Sequence, residues 1–122
     1  MPKFERDPAA SGPVVTGFAS GGFVVEGGVY RGLLLTPTRA EDWAPPPLDQ
    51  LSLADLEPLL GHAPEFLILG TGATMGFPPR ALVRELEARG IGIEAMDSKA
   101  AARTWGMLRG EERWIAAAIM PL

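Results

Sequence analysis

The segment from Glu65 to Met96 constrains the chain more than any other part of it. It begins with a short apolar run, Glu65 to Leu69, placed directly after Pro64, and this reads as a buried strand. Pro78 and Pro79 then suit the first turn of a helix, where a missing N–H group removes no intrahelical bond. The helix is expected to run to about Arg89 with Leu82, Val83 and Leu86 on one face, and Gly90 stops it. Ile91 to Met96 is the next strand. Strand, helix and strand within roughly 30 residues make a βαβ unit, which implies parallel strands and a right-handed crossover.

The flanking sequence extends this unit. Asp97 or Ser98 caps a further helix, on which Ala101, Trp105 and Leu108 share a face at helical spacing. Gly110 marks a turn, and Trp114 to Met120 forms the last strand, where Ala116, Ala117 and Ala118 let a helix pack closely. On the N-terminal side, Val14 to Phe18, Phe23 to Glu26 and Val29 to Thr36 read as a β meander, with Gly27 and Gly28 in a tight hairpin. Residues 37–50 carry Trp43 and three consecutive prolines, Pro45 to Pro47, which predicts an extended connection that Trp43 packs onto the sheet. Ser52 and Asp55 have the spacing of a capping box for a short helix ending near Gly61. The sum is an α/β chain: residues 13–122 form a single domain with a mixed central sheet, helices on its faces and an N-terminal β meander, and residues 1–12 form a loose leading segment.

Charge and composition narrow the function classes. A chain of 122 residues with 47% hydrophobic content supports one core. Its net charge of −4 argues against nucleic acid or an anionic membrane as a nonspecific partner, although Arg80, Arg84 and Arg89 fall close together. With no cysteine, there is neither a disulfide nor a thiolate nucleophile. The charged start and the lack of any long apolar run predict a cytoplasmic protein with no leader and no transmembrane segment.

Two turns stand out as a candidate pocket. Gly70, Thr71 and Gly72 follow a strand and precede a helix, a setting in which backbone N–H groups can cradle an anion. The dinucleotide pattern fails, because Met75 stands where the third glycine belongs, and there is no P-loop Gly-Lys pair. The plain alternative is a structural turn that lets backbone pass close to another element. Asp97 reads first as a helix cap and second as a carboxylate at a cleft together with Arg103, although that spacing does not put the two on one helix face. His62, the only histidine, reads as a loop or helix-end residue. No metal-ligand spacing, cofactor motif or catalytic constellation is visible, so no catalytic residue, metal or cofactor is assigned. Trp43, Trp105 and Trp114 are expected in the core or at its edge.

Taken as a set, Gly17-Phe18, Gly21-Gly22-Phe23, Tyr30-Arg31-Gly32, Trp43, Gly70-Thr71-Gly72, Met96-Asp97, Ala102-Arg103-Thr104, Leu108, Arg113 and Ala116-Ala117-Ala118 carry a resemblance. The chain resembles the family of small α/β proteins that includes mitochondrial respiratory complex I (NADH dehydrogenase) assembly factor three and bacterial relatives of unknown biochemical activity. The resemblance implies a three-layer fold and a non-catalytic accessory role. It further implies a protein partner such as respiratory-complex subunits or membrane-insertion machinery. The alternative is a small-molecule or anion-binding protein, or an enzyme, using Gly70, Thr71 and Gly72 with Asp97 and Arg103. A homodimer through a sheet edge or through the Trp114 strand is a further expectation.

Overall fold

Leu67, Ile68 and Leu69 are all buried, although successive side chains of a strand point to opposite faces. Both faces of their sheet are therefore covered, which is why the run is apolar throughout rather than alternating. The computed structural model describes residues 12–122, and the loose segment expected over 1–12 lies outside them except for Gly12.

The central sheet has five strands: β4 (Leu33–Leu35), β5 (Ala40–Asp42), β6 (Phe66–Gly70), β7 (Gly92–Met96) and β8 (Ala116–Ile119), in the order β5-β4-β8-β6-β7. β6 pairs parallel with both β7 and β8, whereas β4 pairs antiparallel with β5 and β8, so the sheet is mixed. A separate antiparallel meander holds β1 (Val15–Ala19), β2 (Gly22–Val25) and β3 (Gly28–Tyr30). The helices are α1 (Glu57–Leu60), α2 (Arg80–Ala88) and α3 (Ser98–Gly110).

Two core clusters mark the three layers. On one face Leu34, Leu67, Leu69, Ala116 and Ala118 meet Leu82 and Leu86 of α2 and Leu56 and Leu59 near α1. On the other face Leu33, Leu35, Ile68, Ala117 and Ile119 meet Ala101 and Trp105 of α3 and Phe23 and Val25 of the meander. The indole N–H of the fully buried Trp105 donates to the Pro13 carbonyl at 2.9 Å, which ties the start of the described chain to α3.

Several elements differ from the sequence expectation. The return strand expected over Val29 to Thr36 is divided at Arg31 and Gly32, and its second half joins the central sheet as β4. A Cβ on Gly32 would lie 2.5 Å from the Trp43 carbonyl oxygen, so the crossing requires glycine there. Residues 37–50 are not only an extended connection: the Thr36 hydroxyl accepts the Thr38 and Arg39 amides, and this turn feeds β5. Trp43 is half-buried against the first core cluster, as expected of it. Trp114 is 43% exposed, with its indole N–H donating to the His62 carbonyl at 2.6 Å. The strand that follows it, β8, lies between β4 and β6, so dimerisation through the Trp114 strand lacks a free edge.

Candidate functional site

β6 ends at Gly70 and β7 at Met96, side by side in parallel register. From these ends the chain leaves toward opposite faces of the sheet, into α2 on one side and α3 on the other. Neighbouring parallel strands whose connections part in this way open a crevice at their carboxyl ends, where open α/β sheets usually take ligands. Gly70, Thr71, Gly72 and Asp97 all lie at this crevice.

The polar groups here bond to one another. The Thr71 amide donates to the Met96 carbonyl at 2.8 Å, and the Thr71 hydroxyl donates to the Thr74 carbonyl at 2.7 Å and accepts the Gly76 amide at 3.0 Å. The Ser98 hydroxyl accepts the Gly72 amide at 2.8 Å and donates to the Met120 carbonyl at 2.7 Å, while the Ser98 amide donates to the Gly72 carbonyl at 2.8 Å. Asp97 is the N-cap of α3, its Oδ1 accepting the Ala100 amide at 2.9 Å. Gly72 has φ +105°, and a Cβ on Gly70 would stand 2.9 Å from the Ser98 hydroxyl and 3.0 Å from the Ala101 Cβ. The glycines thus let the start of α3 settle directly onto the end of β6.

Arg103 is exposed and stands apart from this group. It lines a shallow cleft of about 210 Å³ with Ala102 and the β1 residues from Val15 to Phe18. The Lys99 ammonium one turn earlier lies 5.3 Å above the Phe18 ring. The structure therefore gathers Gly70, Thr71, Gly72 and Asp97 and places Arg103 beside the meander. Ser98, which completes the hydrogen bonding, was legible only as an alternative cap. Nothing in a helical pattern asks for a buried hydroxyl at the first helical position, and its partners lie 22 and 26 residues away.

The turn continues into a loop with a different surface. A Cβ on Gly76 would lie 2.7 Å from a methyl of Leu48, so the loop backbone is seated on that side chain. Met75 and Phe77 on either side are 49% and 80% exposed. Phe77, Pro78, Arg80, Val83, Arg84 and Glu87 line an open cleft of about 470 Å³. A smaller cavity of about 270 Å³, lined by residues including Thr36, Arg39, Glu41 and His62, lies at the opposite end of the sheet.

A carboxylate away from the crevice is electrostatically perturbed, and its role is structural. Glu65 is held below the ordinary carboxylate range, first by the Arg113 side chain that donates to it at 2.9 Å and then by the Trp114 amide. Among the described residues no group of three or more acidic or imidazole side chains is placed to hold a metal ion, and no helix is long and apolar enough to cross a membrane.

Comparison with known proteins agrees with this architecture. A family model described as a protein of unknown function, DUF498/DUF598, matches residues 15–120. An uncharacterised protein of Rhodobacter capsulatus is 36% identical over 118 residues, covering 96% of this chain and 92% of its own length. NADH dehydrogenase [ubiquinone] 1 alpha subcomplex assembly factor 3 of Danio rerio is 31% identical over 116 residues, covering 93% of this chain and 67% of its own length. The crystal structure of a Bordetella parapertussis protein superposes with a TM-score of 0.82 at 32% identity, covering 94% of this chain and all of that one.

Proposed function

The chain belongs to the DUF498/DUF598 family of proteins of unknown function, and from that premise we propose that it is a non-catalytic accessory protein that acts by binding another protein. The observation that carries this reading is the state of the crevice's rim, the turns that follow β6 and β7. Its hydroxyls and several of its amides are bonded to one another, and the loop leaving it turns Met75 and Phe77 to solvent. A surface of this kind suits contact with a macromolecule better than enclosure of a small one. The alternative, a ligand site made by Gly70, Thr71 and Gly72 with Asp97 and Arg103, has less support, because Arg103 lines a different cleft.

The partner in this reading is a respiratory-complex subunit or a component of membrane-insertion machinery, met from the cytoplasmic side. Its support is the similarity to the zebrafish assembly factor. The test is quantitative affinity capture of the chain, expressed at native level in its own host, paired with deletion of its gene. The reading expects enrichment of such a partner and less assembled NADH dehydrogenase in deletion membranes. Capture of nothing beyond an untagged control, with unchanged enzyme content, would refute it.

A further inference from the structure

Phe77 is 80% exposed although the residue before it is held in place, the Gly76 amide donating to the Thr71 hydroxyl and the Gly76 backbone seated on Leu48. An aromatic ring held in water forgoes the burial that would stabilise the fold, and aromatic residues beside arginine are the typical anchors of protein interfaces. The two arginines beside it are equally unexplained by the fold. Arg80 and Arg84 are exposed one turn apart on α2, where like charges repel. Neither has an ion-pair partner among the described residues. Val83 lies half-buried between them, and Glu87 closes the cleft one turn further on.

We propose that Phe77, Pro78, Val83, Arg80 and Arg84 form the surface on which this chain receives an acidic amphipathic segment of a partner protein. The apolar side chains of that segment seat against Phe77, Pro78 and Val83, and its carboxylates pair with Arg80 and Arg84. Charge decides the occupant. The chain carries a net charge of −4, so an anionic bilayer, which faces the whole molecule, is repelled by most of what it meets. A narrow segment meets mainly the arginines, since charges further away than about 8 Å are screened at physiological salt. The inference rests on the protein-binding reading above and names the surface it uses.

The test is photo-crosslinking in the native host with Phe77→p-benzoyl-phenylalanine, using the exposed Val29 of the meander as the control position. The expected result is one dominant adduct to another protein, mapped by mass spectrometry to a segment that alternates apolar and acidic residues. Adding Arg80→Glu and Arg84→Glu should lower its yield by roughly tenfold or more, as loss of charge-assisted pairing predicts, with the melting temperature kept. An adduct to lipid, to a second copy of this chain or to nothing overturns the proposal, as does a yield indifferent to the charge reversals. If affinity capture still recovers a partner with the charge-reversed chain, this surface is wrong while the accessory reading stands; if capture recovers none even with the unaltered chain, both fail.

Discussion

Ser98 and Gly72 bond to each other twice, the Gly72 amide donating to the Ser98 hydroxyl and the Ser98 amide to the Gly72 carbonyl, each at 2.8 Å. This reciprocal pair bridges the segments that leave β6 and β7 and locks the start of α3 to the turn that opens the route to α2. The hydroxyl also reaches the Met120 carbonyl at 2.7 Å, so a single buried side chain joins three separate parts of the chain.

Ser98→Ala removes both hydroxyl bonds and leaves the Gly72 amide and the Met120 carbonyl without that partner. The expected loss is about 1–3 kcal/mol, the usual cost of stranding buried polar groups. Urea denaturation monitored by tryptophan fluorescence measures it, and a loss within the scatter of surface substitutions would count against the role assigned to Ser98.

Gly70→Ala tests the close approach of helix and strand. The added methyl would meet the Ser98 hydroxyl and Cα and the Ala101 Cβ at 2.9–3.0 Å. Overpacking of this kind costs about 1–3 kcal/mol. Thermal unfolding should show a melting point lower by several degrees, and Gly61→Ala, at a site with open space, should not.

Glu65 gives the fold a dependence on pH with a definite sign. Its folded-state pKa lies below the ordinary value of 4.5, chiefly because Arg113 donates to it. Its stabilisation is therefore present above that value and is lost as pH falls through the lower, folded-state one. The stability difference between the native sequence and Glu65→Gln should be greatest near neutral pH and shrink in acid. A difference that stays constant from pH 7 to pH 3 in chemical denaturation would show that the ion pair contributes nothing through Glu65 ionisation.

Arg80→Glu separates stability from binding. It places an acidic residue in the first turn of α2, which now contains none. The helix dipole favours that change by about 0.3–1 kcal/mol. The variant should melt at the same temperature or higher while retaining less partner in affinity capture. Lower stability together with full partner recovery would contradict both expectations.

Much of this fold was legible in the chain. The run expected over Glu65 to Leu69 and observed as Phe66–Gly70, the helix before Gly90 and the strand ending at Met96 are recognisable because a parallel, doubly covered strand needs continuous apolar residues and a crossover helix needs an apolar face. The cap at Asp97 was legible because capping is local chemistry. Strand β5 was not, because Ala40, Glu41 and Asp42 form a charged edge strand whose polarity protects the edge and hides the strand. The division of the third expected strand was hidden too, since only the approach of Trp43 shows why Gly32 must turn there. At the rim, sequence pointed to Gly70, Thr71, Gly72 and Asp97 as neighbours but not to Ser98 as their link, because that contact is made by tertiary packing alone. Arg103 was grouped with them by its nearness in sequence, whereas α3 carries it toward the meander.

The central claim is that the rim is a closed structural joint and that the chain acts through its outward surface. Amide hydrogen exchange and nitrogen–proton correlation spectra, recorded while phosphate, ATP and citrate are titrated in turn, test it most directly. The account expects the Gly72 and Ser98 amides to exchange slowly and to keep their positions throughout all three titrations. Saturable shifts centred on Gly70, Thr71, Gly72 and Asp97, with fast exchange before ligand is added, would contradict it.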